Sequence, residues 1–475
     1  MTVGPFGVLS QEQVVRLHEG ALKLLATTGM LIHSRAARVV LADRGAIVNQ
    51  QSEVVRFPER LVYELAGRAP TSYILGGRDS EHDLTLTLSS ALTRPIAGCN
   101  KVFDLRTNRR RDPTTQDMIE AALIVDGLPR YDCNAAFVYG IEEPPPTRAV
   151  HYFKILLEHT RKHICMSPYG PRDVEYMIEM AGVIQGSREE IGRRPIFNII
   201  TSPASPLVFS DHFANAIMTA GKAGIPVMMG STPIAGGTGP VTLAGSIVLM
   251  HAENLVGVLI AQAANPGAPI YVGPRPTAMD MRVGTSLWGP IEWGLASSGA
   301  VQVASWCGLP TDFMGVGTDS KLPDQQAGIE RAMMAVLAFL VGPSLIAGGG
   351  YIDTISTGSL EQLVIDDEIF GMARRLVQGV EVDTERMALD VIDQVGPGGN
   401  FLAEEHTRKY HRLEHLIVDL ADRNTYGKWE EEGLDVVRRS RSKADGILSS
   451  HEVPPLEDAS RAELHRILDT ARRTL

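Results

Sequence analysis

Residues 344–370, SLIAGGGYIDTISTGSLEQLVIDDEIF, decide the fold. They begin with a short apolar run, residues 344–347, which predicts a buried strand, and three glycines follow it. Ser359 and Gln362 have the S-x-x-Q spacing of a capping box, so a helix is predicted to begin there. A strand that ends in glycines and polar residues before a helix is one βα unit, and we expect its functional end to be exposed.

Seven further units with the same pattern precede this one. The predicted strands are near-continuous apolar runs at residues 96–104, 134–140, 163–167, 195–201, 226–231, 268–273 and 311–317. The helices predicted to follow them lie near residues 114–125, 147–160, 173–183, 211–223, 242–264, 290–307 and 323–341. Continuous rather than alternating apolar residues are typical of strands that are buried on both faces.

Eight βα units in roughly 250 residues are the number expected for a (β/α)8 barrel. The alternative is an open doubly wound sheet, but no dinucleotide-binding fingerprint marks a point where its strand order would reverse. We therefore predict an α/β fold with a (β/α)8 TIM barrel at residues 96–380. Residues 1–95 are predicted to form an N-terminal α+β cap, and residues 381–475 a helical C-terminal extension packed on the barrel. The extension has the pattern of a packing or oligomer element, and we expect a homo-oligomer.

Composition narrows the classes of partner. The chain of 475 residues has a net charge of −11, which argues against nucleic acid and anionic membranes. From the sequence we expect no apolar run that approaches the roughly 18 residues needed to span a membrane. The N-terminus, MTVGPFGVLSQEQ, lacks the basic and apolar regions of a signal peptide. The four cysteines form no CxxC pair, and we expect buried, reduced thiols in a cytoplasmic protein.

Function in a barrel gathers at the carboxyl ends of the strands, so the candidate residues are those that follow each strand. Glu253 lies in an otherwise apolar helix, where a lone acid is costly to bury, so we expect it to face a cavity or pair with a cation. The loop after the sixth strand carries Arg275 and Arg282, and Trp288 and Trp293 follow. An arginine beside aromatic rings can hold a carboxylate while the rings hold a cation. A structural Arg–Asp pair with core tryptophans is the alternative.

The last two strands add further polar candidates. Asp319 and Lys321 follow the seventh strand, and Lys321 is either a Schiff-base nucleophile or an ion-pair partner. Tyr351 and Asp353 follow the eighth strand. The pattern HExxH is absent, and the tail histidines 406, 411 and 415 lie in a charged segment, so we expect no metal site.

The sequence resembles the trimethylamine methyltransferase MttB superfamily. The resemblance rests on LLATTGM (24–30), GTDSKLPDQQAGIE (317–330), GGGYIDTISTGSLEQLVIDDEI (348–369) and DTERMALDVIDQVGPGGNFLAEEHTRKYHR (383–412), and it covers nearly the whole chain. Asn400 stands where many members have His. The resemblance implies a (β/α)8 enzyme that passes a methyl group from a methylated amine to the cobalt of a separate corrinoid protein.

The implied cofactor is therefore a corrinoid (cobalamin) carried by a partner protein, with none tightly bound in this chain. Consistent with this, the sequence has no D-x-H-x-x-G cobalamin-binding signature. It is written in the standard twenty residues, so it resembles the branch without pyrrolysine, whose assigned substrates are quaternary amines such as glycine betaine.

The resemblance also suggests roles for the candidates. Trp288, Trp293 and Tyr351 would hold the cation, and Arg275 or Arg282 a betaine carboxylate. A polar mouth would be formed by the candidate catalytic residues Glu253, Asp319, Lys321 and Asp353. Two alternatives stay open: a Schiff-base aldolase or lyase that uses Lys321, and a barrel that binds a methylamine without catalysis.

Overall fold

A set of parallel strands forms the centre of the molecule in the computed structural model, which describes residues 6–104 and 106–475. Residues 1–5, the beginning of the stretch tested for a signal peptide, lie outside the described residues. The strands are named β1 (Leu92–Pro95), β2 (Cys133–Ala135), β3 (His163–Met166), β4 (Phe197–Thr201), β5 (Val227–Met229), β6 (Ile270–Val272), β7 (Asp312–Met314) and β8 (Leu345–Gly349). Strands β2 to β6 form one parallel sheet in chain order, and β7, β8 and β1 form a second.

Backbone hydrogen bonds also connect the two sheets at both edges. The Val272 amide, on β6, donates to the Pro310 carbonyl just before β7 at 2.9 Å. The Asp132 amide, just before β2, donates to the Thr93 carbonyl on β1 at 2.9 Å. The parallel α/β fold is as predicted, and the carboxyl ends of all eight strands face the same way.

A long helix follows each strand. These helices are α1 (Thr115–Gly127), α2 (Pro145–His159), α3 (Pro171–Gln185), α4 (Asp211–Lys222), α5 (Leu243–Ala264), α6 (Ile291–Trp306), α7 (Gln325–Val341) and α8 (Leu360–Gln378). The predicted start of α8 is confirmed, because the Gln362 amide donates to Ser359 Oγ at 3.2 Å. The sequence therefore predicted the βα repeat well, because each apolar strand ends in residues that cap or break structure.

The first strand is the exception. It was predicted at residues 96–104, but β1 lies at 92–95, and residues 101–104 belong to a separate small sheet. The β1 residues Thr93 and Arg94 looked polar and were not recognised as a strand. Both are buried and paired: Thr93 Oγ1 donates to Asp132 Oδ2 at 2.8 Å, and Arg94 Nη2 donates to Asp312 Oδ2 at 2.7 Å.

The three glycines after residue 347 serve packing rather than exposure. All three are buried, contrary to the expectation of an exposed end. Gly348 has a φ of +111°, and a Cβ there would lie 2.7 Å from the Val316 carbonyl oxygen. A Cβ at Gly350 would overlap Leu363 on α8. Strand β8 can approach its neighbours this closely only because side chains are absent.

The N-terminal segment combines helices with a small sheet. Its elements are helices Gln11–Thr27, Arg35–Asp43 and Glu59–Ala66, strands Met30–Ile32, Ile47–Val48 and Val54–Arg56, and the hairpin Tyr73–Leu75 and Leu84–Leu86, with a short helical turn Ser80–His82. The predicted capping box at Ser10 and Gln13 is present, and Gly29 has a φ of +74° after the first helix. The hairpin packs at the amino ends of the strands, where Gly76 N donates to the Pro195 carbonyl at 2.8 Å. Leu75 and Leu86 are buried there against side chains of the central strands.

Two small sheets stand at the carboxyl ends of the strands. One contains Ile234–Ala235, Thr277–Asp280 and Thr285–Leu287, and the other contains Lys101–Asp104, Arg109–Arg111, Tyr351–Ile352 and Thr357–Ser359. Strand Val208–Phe209 pairs with Met30–Ile32 of the N-terminal segment, and helix Arg188–Arg193 precedes β4. The segments after β1, β5, β6 and β8 therefore contain strands that hold their side chains in place.

The C-terminal segment is helical, as its sequence predicts. Its helices are Thr384–Met387, Leu389–Val395, Glu405–Glu414, Tyr426–Glu432, Val436–Ser450 and Asp458–Thr474. Glu368 on α8 accepts the backbone amides of Asp419 and Leu420, each at 2.8 Å. Arg472 donates to Glu143 Oε2, just before α2, at 2.7 Å. These contacts attach the segment to the outer helices.

Helix α5 corrects one expectation. Its 22 residues are long and apolar enough to cross a membrane, although no such run was expected from the sequence. However, 78% of its most apolar stretch is buried inside the fold. Helices of the N-terminal segment and the neighbours α4 and α6 surround it. Its composition is therefore explained by burial between helices.

Arg331 on α7 and Asp366 on α8 form a fully buried ion pair with an N–O distance of 2.6 Å. Replacing Arg331→Met leaves the Asp366 carboxylate buried without its cation. We expect this change to reduce the free energy of unfolding by about 3–5 kcal/mol. The measurement is urea denaturation followed by circular dichroism.

The double variant Arg331→Met/Asp366→Asn serves as the control, because it removes both charges. It should be more stable than Arg331→Met alone. If the single variant loses less than about 1 kcal/mol, the buried charge of Asp366 does not depend on Arg331 for its stability.

Candidate active site

One of the candidate residues, Arg275, pairs with a buried acid on β7. Asp312 has no exposed side-chain surface, and its Oδ2 accepts from Arg94 Nη2 at 2.7 Å and from Arg275 Nη2 at 3.2 Å. Arg94 comes from β1, and Arg275 from the segment after β6. One carboxylate thus joins three parts of the chain, and the group of two guanidiniums and one carboxylate has a formal charge of +1.

Burial and charge act differently on the two guanidiniums. Burial lowers the pKa of Arg275, and the opposing effect of Asp312 does not fully offset it. Burial also disfavours the charge of Arg94, but Asp312 outweighs this effect and raises the pKa of Arg94 above its usual value. Arg275 is therefore the less fully neutralised of the two cations, and an additional anion beside it would be stabilised.

Three aromatic side chains that follow β6 and β8 lie close to one another. The rings of Trp288 and Trp293 are 5.4 Å apart between centroids and meet edge to face. A Cβ on Gly317 would lie 2.6 Å from Trp293 Cζ3 and 2.7 Å from Tyr351 Oη, so those two atoms are at most 5.3 Å apart, the sum of the two distances. All three aromatic residues are buried, and Tyr351 is close enough to Arg275 for its phenol to affect that pKa.

Several polar atoms in this region have no protein partner. They are Arg94 Nε, Tyr271 Oη, Arg275 Nε, Trp293 Nε1, Asp312 Oδ1 and Tyr351 Oη. Buried polar atoms without partners are costly, and most folded proteins contain few of them. Three of these atoms belong to residues within β1, β6 and β7, and the other three to residues that follow β6 and β8. Such a concentration is typical of a site that binds a ligand.

Asp319 holds the aromatic segment in place. Its Oδ1 accepts the Trp288 amide at 2.8 Å, and its Oδ2 accepts the Gly289 amide at 3.0 Å. Burial raises the pKa of Asp319, partly against these hydrogen bonds. A carboxylate that accepts two backbone amides fixes the loop that presents Trp288. The structure thus brings Asp319 to the site through its contacts with the loop.

Lys321 and Asp353 lie at the exposed rim. The Lys321 side chain is 68% exposed, and its ammonium donates to the Asp319 carbonyl at 2.6 Å and lies 3.7 Å from Asp353 Oδ1. Asp353 also lies 3.3 Å from Arg110 Nη2. The ion-pair alternative for Lys321 therefore fits the geometry better than a buried nucleophile, because Schiff-base lysines are usually desolvated.

Glu253 is fully buried on α5 but has no cation in contact with it among the described residues. Ser205 Oγ donates to its Oε2 at 2.7 Å, Ser231 Oγ donates to the same oxygen, and the Leu207 amide donates to Oε1 at 2.8 Å. Burial raises the pKa of Glu253, against the effect of these hydrogen bonds. The expected cation partner is therefore replaced by hydroxyl and amide donors, which satisfy the buried carboxylate.

Arg282 and Asn400 lie away from the buried group. The Arg282 side chain is 88% exposed, at the turn between strands Thr277–Asp280 and Thr285–Leu287, and its Nη2 donates to Asp280 Oδ2 at 2.7 Å. Asn400 is exposed in the segment between helices Leu389–Val395 and Glu405–Glu414, where its Oδ1 accepts the Leu402 amide at 3.3 Å. Of the two candidate arginines, Arg275 is the one that is buried and paired with Asp312.

Four residues of this region were not identified as site candidates from the sequence: Arg94, Tyr271, Asp312 and Arg331. The guanidinium carbon of Arg331 lies 4.9 Å from the centre of the Tyr351 ring, so Arg331 packs on this ring. One signal was available: a lone acid in the apolar strand TDFMGVG needs a buried cation. Its partners lie 218 and 37 residues away in the chain, so spacing alone could not identify them.

Comparisons with known proteins agree over the whole chain. The family model described as trimethylamine methyltransferase (MTTB) matches residues 1–475. A trimethylamine methyltransferase MttB of Desulfitobacterium hafniense strain DCB-2 is 30% identical over 97% of this chain and 93% of its own. A glycine betaine methyltransferase of Desulfitobacterium hafniense strain Y51 is 29% identical over 98% of this chain and 96% of its own.

A solved structure supports the fold. The crystal structure of the hydroxylamine complex of MtmB superposes with a TM-score of 0.51 at 10% identity, covering 99% of this chain and 95% of that one. At this identity the likeness concerns the fold alone. Taken with the family match over residues 1–475, the comparisons place this chain in the trimethylamine methyltransferase (MTTB) family.

Proposed function

We propose that this protein is a methyltransferase that moves a methyl group from a quaternary amine of the betaine type to the Co(I) of a separate corrinoid protein. The family membership supports amine methyl transfer. The observation that carries the proposal further is the buried pair of Arg275 and Asp312, with Tyr351 close enough to affect the pKa of Arg275, Trp293 beside Tyr351, and Trp288 packed on Trp293. It combines a surplus positive charge with aromatic rings, as a zwitterion requires.

We infer that the eight parallel strands close into a (β/α)8 barrel. The inference rests on the hydrogen bonds that join β6 to the start of β7 and β1 to the start of β2. In such a barrel, loops at the carboxyl ends of the strands carry the chemistry, and that is where the buried group lies. The division into an N-terminal cap, a barrel and a helical extension is part of the same proposal, with the barrel beginning at β1 rather than at residue 96.

The cationic end of the substrate would lie against the aromatic rings. A desolvated ammonium over such rings gains about 2 kcal/mol. A direct carboxylate partner would hold the cation more tightly, but the positive charge disappears as the methyl group leaves. Tight ground-state binding of that charge would therefore raise the barrier. The aromatic contacts suit a substrate whose charge is lost in the reaction.

The anionic end would lie at Arg275. The formal charge of +1 on the trio of Arg94, Arg275 and Asp312 falls to zero when a carboxylate binds there. The Arg275 Nε has no protein partner and can donate to that carboxylate. This arrangement favours a betaine over a neutral amine such as trimethylamine.

The reaction needs no proton. The bond between the methyl carbon and nitrogen breaks while the bond from carbon to Co(I) forms. The nitrogen keeps the electron pair and leaves as a neutral tertiary amine, and cobalt is oxidised from Co(I) to Co(III). A neutral tertiary amine as the substrate would instead have to leave as an amide anion or be protonated first. The chain's residues have to orient the methyl group toward the open end of the barrel, and this orientation supplies much of the rate.

Neither alternative function has a specific observation in its favour. Lys321 is exposed at the rim, apart from the buried group, so a Schiff-base aldolase or lyase is the weaker proposal. A barrel that binds a methylamine without catalysis would use the same residues. A measurement of turnover distinguishes this alternative from an enzyme. The cytoplasmic location and the homo-oligomer remain predictions.

The first test is anaerobic mixing of the protein with chemically reduced cob(I)alamin and a panel of methylated amines. We expect loss of the cob(I)alamin absorbance and growth of methylcob(III)alamin with glycine betaine, and none with trimethylamine. The reason is that the quaternary nitrogen leaves as a neutral amine without any proton transfer. Binding of betaine in calorimetry without methylation, with both free cobalamin and a corrinoid protein, would favour the non-catalytic alternative.

Arg275→Gln tests the carboxylate contact. Loss of a charged hydrogen bond costs about 1.5–3 kcal/mol, so the KM for glycine betaine should rise roughly 10- to 100-fold. Tetramethylammonium has no carboxylate, and its KM should change much less. The matched variant Arg282→Gln removes the exposed arginine and should leave the betaine KM within about twofold of the wild type. The opposite pattern would assign the carboxylate to Arg282.

Tyr351→Leu tests the aromatic contact, with Tyr351→Phe as its matched control. Loss of the ring should weaken betaine binding by roughly 2- to 30-fold, since one cation–π contact is removed. Phe keeps the ring and removes only a hydroxyl that has no protein partner, so its binding should stay near the wild type. Equal binding by all three proteins, with unchanged thermal midpoints, would remove Tyr351 from the site.

A further inference from the structure

A group of two histidines and one cysteine lies outside the central strands. It consists of His18 on helix Gln11–Thr27, His251 on α5 and Cys307 at the carboxyl end of α6. Both histidines are buried, and Cys307 is partly exposed. One ligand atom from each residue lies within 4.8 Å of the others. This group could not be recognised from local spacing, because His251 lies 233 residues after His18 and 56 residues before Cys307.

The three distances have the size expected around a metal ion. His18 Nδ1 lies 2.9 Å from His251 Nε2, and Cys307 Sγ lies 3.4 Å and 3.9 Å from those two atoms. Around a tetrahedral zinc ion with Zn–N of about 2.0–2.1 Å and Zn–S of about 2.3 Å, the N–N separation is about 3.3 Å and the N–S separations about 3.6 Å. A shift of a few tenths of an ångström would convert the triangle into a metal site.

A hydrogen bond accounts for only part of the triangle. One shared proton explains the contact between the two imidazoles, but both nitrogens also face the same sulfur. All three ligand atoms therefore converge on one point, as they would around a single ion.

We propose that His18, His251 and Cys307 bind a zinc-type divalent transition-metal ion that ties the first helix to α5 and α6. Two imidazoles and a thiolate suit zinc better than magnesium or calcium, which prefer oxygen ligands. On binding, the Cys307 thiol loses its proton to solvent and the sulfur coordinates as a thiolate. Three protein ligands leave a fourth position for water.

Two exposed aromatic residues lie beside the group. The rings of Tyr63 and Trp306 lie 5.5 Å and 5.3 Å from the His18 ring between centroids, and both residues are exposed to solvent. Cys307 is itself partly exposed, so the group lies close to the surface. The site is distant in the fold from the buried group around Asp312, because it lies between outer helices. Its proposed role is structural, and it does not rest on the proposed methyl transfer.

The test uses metal removal and cobalt substitution in the full chain. Purified protein should contain about one zinc per chain by elemental analysis, and a chelator should remove it and lower the thermal midpoint. Addition of Co²⁺ to the stripped protein should give a thiolate-to-cobalt charge-transfer band in the near ultraviolet. Wild-type protein that folds but holds neither zinc nor cobalt would overturn the proposal.

Two variants locate the metal. Cys307→Ser should abolish the charge-transfer band, and His251→Ala should abolish stoichiometric binding. His411→Ala, which changes an exposed histidine of the C-terminal segment, should retain both signals. If Cys307→Ser keeps the band, or if His411→Ala loses it, the metal binds elsewhere and the assignment is wrong. Should a variant fail to fold, the effect of the chelator on wild-type stability decides the structural role.

Discussion

The carboxylate of Asp312 is the constraint on which the buried site depends. It lies at the start of β7, has no exposed surface and holds Arg94 of β1 and Arg275 of the segment after β6. A buried carboxylate needs cationic partners, and two guanidiniums around a single acid leave a positive surplus. The surplus is tolerable where a ligand neutralises it. One charged group thus holds neighbouring parts of the chain together and favours a ligand that carries a negative charge.

The repeating architecture could be predicted from the sequence because burial on both faces imposes a recognisable pattern. Seven of the eight strands were placed within a few residues, since each is a run of apolar residues that ends before a cap or a glycine. Strand β1 failed because its pattern is polar. Thr93 and Arg94 can lie in a central strand only because Asp132 and Asp312 provide partners, and such partners are invisible to local periodicity.

The site was less predictable than the fold. Position after a strand was enough to find Arg275, Trp288, Trp293 and Tyr351, which come together. The same criterion also selected Arg282 and Lys321, which are exposed, because it cannot tell a loop that folds inward from one that turns toward solvent. Glu253 shows a second limit: a buried acid can be satisfied by hydroxyl and amide donors as well as by a cation. The group of His18, His251 and Cys307 arises only from tertiary packing.

The hairpin Tyr73–Leu75 and Leu84–Leu86 has a consequence for the order of events in the proposed reaction. Its two buried leucines pack against the central strands at their amino ends, so we expect the proposed substrate to enter from the carboxyl ends. Donor and acceptor would then use the same opening. A bulky protein acceptor would cover it, so the small amine has to enter first. Demethylated product would stay trapped until the acceptor departs, which would make the encounter between the two proteins, rather than the chemistry, the step that sets the pace.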